Sequence, residues 1–202
     1  MRGFEGMNLN DDNEDVKWFL NKLQCACESI GKEYFTFQSA VENEGTMKYK
    51  ERVYAYELYH QLRCNLYDRG YTLHGEYFKH KTPLIPNNIR GKSPDLIVHV
   101  PESNSENLAV IEIKRVDPFY KSEVMKDLNK LSSFLNKPTC YKIGIELFFG
   151  EYDLNAFKRK IEEFLINDPK IFKGTKEKIL QNRILIFLHG GPGEKPRIVK
   201  YG

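Results

Sequence analysis

Asp95, Glu112 and Lys114 are the residues whose types and spacing can do chemistry. Asp95 follows Pro94 and opens an apolar run, Leu96-Ile97-Val98. Glu112 and Lys114 close a second run, Leu108-Ala109-Val110-Ile111. Read as strands joined by the polar stretch 101–107, the two runs form a hairpin with both acids and the lysine at one end. Strand side chains alternate faces, so Glu112 and Lys114 share a face and Ile113 takes the other. A slip of one residue would move Asp95 across the sheet. Pairing Val100 with Asn107, or an equivalent bulge, sets Asp95 against Glu112, and this is the predicted register. Two carboxylates a few ångströms apart repel each other unless a cation lies between them. Oxygen ligands suit Mg²⁺, which takes one or two carboxylates together with water and substrate phosphate. Such an ion polarises a phosphodiester and acidifies a water. Lys114 can orient or help deprotonate that water, or neutralise charge developing on the phosphorane. The backbone carbonyl of Ile113 faces the region where a further ligand belongs.

The elements that must position these groups follow from periodicity and breakers. Asp11 and Asp12 can cap a helix running to about Ile30, with Val16, Phe19, Leu20, Leu23 and Cys27 on one face. A looser segment leads to a second helix at about 47–67. Strand one is about 71–78, and the Pro- and Gly-containing stretch 79–92 is a loop. Strand two is about 95–100 and strand three 109–116. A helix at 121–135 carries the stripe Val124, Leu128, Leu131 and Leu135. Strand four is 141–149, a helix spans 154–165, strand five is 183–188, and 197–201 is a final edge strand. Gly190-Gly191-Pro192-Gly193 is a turn. This order predicts an α/β fold: a mixed central β-sheet flanked by helices. The first three strands form an antiparallel meander, and the fourth is reached through a helical crossover and lies parallel to a neighbour. Residues 1–46 form an N-terminal helical extension and 47–202 the core, within one domain overall.

Composition narrows the function classes. The chain has 202 residues, 41% of them apolar with 12 Tyr and 13 Phe, which excludes a disordered protein. Its net charge of +3 is compatible with nucleic acid without requiring it. Basic residues gather at Lys79, Lys81, Arg90 and Lys92, at Lys158, Arg159 and Lys160, and at Lys170, Lys173, Lys176 and Lys178. Each group is either a phosphate contact or a solvated face. No apolar run reaches membrane-spanning length, and the polar N-terminus has no signal-peptide pattern, so the expected location is cytoplasmic, with no membrane partner. Cys25, Cys27, Cys64 and Cys140 lack zinc spacing and read as reduced thiols, several of them buried. No serine sits in a nucleophile-elbow context.

Pro94-Asp95, followed after 16 residues by Glu112-Ile113-Lys114, resembles the PD-(D/E)xK nuclease superfamily of restriction endonucleases, junction resolvases and RecB-type nucleases. The resemblance covers roughly residues 47–149. It implies a restriction-endonuclease-like core of helix, three-stranded meander, crossover helix and strand. It also implies a metal-dependent nuclease that hydrolyses phosphodiester bonds, with DNA as the expected substrate, Mg²⁺ as cofactor and Mn²⁺ able to substitute. Asp95 and Glu112 would be metal ligands, Ile113 would add its carbonyl, and Lys114 would be the catalytic lysine. Relatives often carry another acid on the first core helix, and Glu57 is the match. On a helical wheel it lies beside Val53, His60 and Cys64, off the Ala55, Leu58, Leu62 and Leu66 stripe, and His60 is placed to orient it. Glu76 in strand one is the alternative acid. Lys121, Lys126 and Lys130 of the crossover helix face either nucleic acid backbone or solvent. Many relatives act as dimers, so a homodimer is one assembly to expect. The alternative functions are a catalytically inactive nucleic-acid-binding module and an interaction protein with structural hairpin charges.

Overall fold

The computed structural model describes residues 14–35, 37–38, 47–48, 50–66, 68–76, 93–101, 107–167, 171 and 173–199. Its elements in chain order are α1 (Glu14–Glu28), α2 (Lys32–Phe35), β1 (Phe37–Gln38), β2 (Met47–Lys48), α3 (Glu51–Asn65), β3 (Thr72–Gly75), β4 (Leu96–His99), β5 (Asn107–Arg115), α4 (Lys121–Phe134), β6 (Ile143–Phe149), α5 (Leu154–Asn167), α6 (Lys173–Leu180), β7 (Ile184–His189) and β8 (Arg197–Ile198). The main sheet has six strands in the order β3-β4-β5-β6-β7-β8. β3, β4 and β5 are an antiparallel meander, β5 and β7 flank β6 in parallel, and β8 returns antiparallel. The fold is therefore α/β with a mixed sheet, as the order of elements predicts.

Alternation along the strands divides the core into two layers. Ile111 and Ile113 of β5, Ile145 and Leu147 of β6, and Phe187 of β7 pack with α1 and α3. Val110, Phe148, Ile186 and Leu188 pack on the other face with α4, α5 and α6. β6 is buried along its whole length, which explains its near-continuous apolar sequence. α1 presents Val16, Phe19, Leu20, Leu23 and Cys27 at helical spacing, and all are buried. Each leucine so buried contributes roughly 1.5–3 kcal/mol relative to exposure. The helix assigned from sequence to an N-terminal extension thus shares a cluster with Tyr54 and Leu58 of α3 and with Ile111.

The meander register matches the prediction. Leu96 pairs with Ile111, Ile97 with Val110 and Val98 with Ala109, and a bulge between Val98 and His99 absorbs the offset at the loop end. Asp95, Ile97, Val110, Glu112 and Lys114 consequently share the face that α4 covers.

Several local expectations are corrected. The stretch between the first two long helices, read as loose, holds α2 and the small β1–β2 ladder, and α3 begins at Glu51 rather than near 47. α6 occupies residues read only as a basic cluster. It buries just Thr175 and Ile179, so its apolar stripe is too thin to stand out. Cys27 is buried, whereas Cys25, Cys64 and Cys140 are exposed. The Asp11 and Asp12 cap, residues 77–78, the loop 79–92 with its basic residues, Lys170 and the end of the final strand lie outside the described residues.

Candidate functional site

The site lies where β4 ends and β5 continues. β4 pairs as far as Leu96, so Asp95 stands at its lip, opposite Glu112. Ile113 N donates to Asp95 Oδ2 over 2.7 Å, and Asp95 O accepts from Glu76 N at 2.9 Å. In an extended strand a residue's N–H and C=O point to the same lateral side. The Ile113 carbonyl therefore also points past the end of β4, beside Asp95.

Glu112 follows five buried residues and is itself 1% exposed. Its Oε2 accepts from Lys130 Nζ at 2.7 Å, while its Oε1 is buried with no hydrogen-bond partner among the described residues. Lys130 also reaches Asp127 Oδ1 at 3.1 Å. Lys114 Nζ lies 3.2 Å from Asp127 Oδ2 and 3.7 Å from Glu51 Oε1. Asp127 thus bridges the two lysines from α4, and Glu51, on the first turn of α3, approaches Lys114 from the other layer.

Glu146 completes the cluster. It pairs in register with Glu112 across the parallel β5–β6 ladder and points to the same face. Its exposure is 0%, and neither carboxylate oxygen has a hydrogen-bond partner among the described residues. Asp95, Glu112 and Glu146 therefore form a row across three adjacent strands. Gly144 helps α4 close over this row: a Cβ there would stand 3.3 Å from Leu131 Cβ and 3.4 Å from Ile184 Cγ1.

The electrostatics follow from burial. Glu112 is held well above the usual carboxylate range, first by burial and then by repulsion from Asp95, with Lys130 only partly offsetting them. Burial, then Asp127 and Glu112, push Glu146 in the same direction. Burial raises Asp95 against the stabilising Ile113 amide, and it raises Glu51 against the pull of Lys114. For the lysines burial opposes the charge, yet the acids win. Asp127 and Glu51 hold Lys114 above its ordinary value, and Glu112 and Asp127 do the same for Lys130. Both lysines are therefore firmly protonated near neutral pH. Lys114 is suited to donate and to stabilise negative charge, not to remove a proton from water.

The arrangement has donor chemistry for a hard cation. Among the described residues, five carboxylates (Glu51, Asp95, Glu112, Asp127 and Glu146) face two ammonium groups, a surplus of three negative charges within the cluster if all ionise. They must be met by protons or by a cation. Among the described residues no three His, Cys, Asp or Glu side chains stand grouped to hold a metal ion. Mg²⁺ needs only one or two protein carboxylates, with water and phosphate filling its octahedron. Asp95, the unpartnered Glu112 Oε1 and the Ile113 carbonyl fit that requirement.

The structure therefore brings Asp95, Glu112, Ile113 and Lys114 together. It does not bring Glu57 to them: Glu57 Oε1 accepts from Gln61 Nε2 at 2.6 Å on the flank of α3. The α3 acid at the cluster is Glu51. Glu76 is exposed at the mouth of a cleft that Asp95 also lines. Lys130 turns inward to Glu112, while Lys121 and Lys126 are exposed. His99 lies 2.8 Å from His74 (Nε2 to Nδ1). Sequence reasoning missed Glu51, Asp127, Lys130 as an acid's partner, and Glu146. Glu146 did leave a signal, being an acid inside the apolar run Ile143–Phe149.

No protein-family model, curated protein or solved structure matches the chain. Among the described residues no helix is long and apolar enough to cross a membrane.

Proposed function

We propose that this chain is a metal-dependent nuclease that hydrolyses phosphodiester bonds in DNA, of the PD-(D/E)xK kind that Pro94-Asp95 and Glu112-Ile113-Lys114 resemble. The observation that carries the reading is the β4–β5 register. It sets Asp95 opposite Glu112 and on the same face as Lys114, at the open end of β4. Asp95, Glu112 and the Ile113 carbonyl would hold Mg²⁺, with Mn²⁺ able to replace it. When bound, the ion supplies charge that polarises the phosphate and acidifies a water.

The remaining work falls to the chain's own groups. The Ile113 amide fixes the Asp95 carboxylate, so little reorganisation is needed there. Protonated Lys114, held between Asp127 and Glu51, is placed to stabilise charge on the phosphorane oxygens. Lys130 keeps one oxygen of Glu112 occupied and leaves the other for the cation. A second reading, a nucleic-acid-binding protein without turnover, draws on that same Lys130 contact, which already supplies Glu112 with a positive charge.

Plasmid nicking in Mn²⁺ or Mg²⁺, compared with an Asp95→Ala protein, separates the two. Metal-dependent nicking that disappears in the variant supports the nuclease. No nicking by the unaltered chain in either metal leaves the binding reading.

A further inference from the structure

Two clefts open on either side of Glu51 and Arg52; Lys114 lines the first and Asp95, at the end of the carboxylate row, lines the second. The first, of about 470 Å³, is lined by Lys50, Arg52, Lys114, Arg115 and Tyr120, with Glu51 and Glu123 as its acids. The second, of about 480 Å³, is lined by Arg52, Tyr56, Tyr59, Glu76 and Asp95 together with Glu51. Positive charge outweighs negative in the first, and acids outweigh the single arginine in the second. One cleft is thus built to hold phosphates, and its neighbour holds the side of the site where a cation is wanted. Each volume is that of a small-molecule pocket, roughly room for a nucleotide and not for a double helix.

Each cleft also carries an exposed tyrosine. Tyr56 is 63% exposed on α3 and Tyr120 is 55% exposed at the start of α4, among the largest exposures of any aromatic side chain described. Tyr120, left in water beside the basic cleft, has the setting of single-strand recognition, in which cations follow the backbone while ring faces stack on bases, and Tyr56 offers a second ring face at the acid-lined cleft next to it. The bases of a duplex are already stacked on each other and offer such rings nothing.

We infer that the two clefts bind single-stranded DNA, with Tyr120 and Tyr56 stacking on bases either side of the phosphate that reaches Asp95. This rests on the nuclease reading for its orientation, since the scissile phosphate is placed by the carboxylate row. Arg52, shared by both clefts, contacts the phosphate between the two stacked bases. The chain acts on unpaired strands, and intact duplex is a poor ligand.

Fluorescence anisotropy in EDTA tests this without turnover, using a labelled 15-nucleotide single strand and the blunt duplex of the same sequence. The unaltered chain is expected to bind the single strand at least tenfold more tightly. Tyr56→Ala and Tyr120→Ala should each weaken that binding about tenfold, with Phe at either position restoring it and duplex affinity unchanged. Both side chains are exposed, so a far-UV spectrum and melting temperature equal to the parent's are expected. Equal affinity for the two ligands, or tyrosine variants that weaken neither or weaken both alike, overturns the inference. Because no metal is present, the outcome is independent of nicking. Single-strand binding without cleavage in Mn²⁺ would remove the nuclease reading and leave this site. Duplex cleavage indifferent to both tyrosines would do the reverse.

Discussion

The Ile113 amide donates to Asp95 Oδ2 over 2.7 Å, tying the residue at the lip of β4 to the strand that carries Glu112 and Lys114. The bond lets the residue just before the first paired residue of β4 present a carboxylate at a fixed level. Asp95→Asn keeps an acceptor for the amide but removes the charge. Its stability in a urea melt should stay within about 1 kcal/mol of the parent, while Asp95→Ala loses about 1–2 kcal/mol with the bond. In both, a Mn²⁺ titration should show affinity reduced at least tenfold. Unaltered Mn²⁺ binding by Asp95→Asn would remove Asp95 from the metal site.

Lys114 is held protonated by Asp127 and Glu51. Lys114→Met should lower nicking about 100- to 1000-fold, the scale of losing one preorganised donor to a transition-state oxyanion. Mn²⁺ affinity should hold or rise, because a competing positive charge is gone. A variant that lost metal binding in proportion to rate would make Lys114 structural.

Glu146 is buried, with both oxygens unpartnered among the described residues, beside other acids. Glu146→Gln keeps the shape and removes the charge, so in EDTA at pH 8 its melting temperature should exceed the parent's by several degrees. A relief of about 1–2 kcal/mol corresponds to that shift in a chain of this length. A lower melting temperature would reveal a favourable partner that the carboxylate finds in solution.

Stability should respond to pH through these acids. Asp95, Glu112, Glu146 and Glu51 are all raised above their unfolded values, so above about pH 4.5 the folded state binds more protons than the unfolded one. Their contribution to stability is therefore fully present at low pH and falls as pH rises through the folded pKa values. Measured against a Glu112→Gln, Glu146→Gln double variant, the parent in EDTA should lose ground between pH 5 and 8, and added Mn²⁺ should restore it. A constant difference across that range would show that neither acid retains a proton.

His189 works in the opposite direction. It is fully buried, its Nδ1 lies 2.7 Å from the Tyr54 hydroxyl, and burial lowers its pKa from 6.5 to about 4. The neutral ring is favoured in the fold, so stability present above pH 6.5 is lost as pH falls toward 4, on the order of 3 kcal/mol. Urea melts at pH 7 and pH 4.5 should show that loss in the parent and a smaller one in His189→Asn. Equal losses would assign the acid sensitivity elsewhere.

The hairpin chemistry was legible because a strand repeats every two residues. Once the pairing sum of β4 and β5 was chosen, the faces of Asp95, Glu112 and Lys114 followed, and the bulge at Val98 and His99 preserved that choice. The core helices were legible for a related reason: α1 and α4 carry long apolar stripes at helical spacing. α6 was not, because it buries little.

By itself, then, the sequence determined the α/β layering, the meander register and the convergence of Asp95, Glu112 and Lys114, all of which depend on local period and burial. Only the tertiary structure decided which acid of α3 reaches the site, that Lys130 turns onto Glu112, and that Glu146 stands beside it. A helical wheel ranks the residues of α3 by angle but does not say where along the sheet the helix begins. Glu51 reaches Lys114 because α3 starts level with the end of β5, whereas Glu57 lies nearly two turns further on and binds Gln61. The same limit applies to Lys130 and Glu146: their partners belong to neighbouring elements, and those distances are fixed by packing across the sheet, which no single segment encodes.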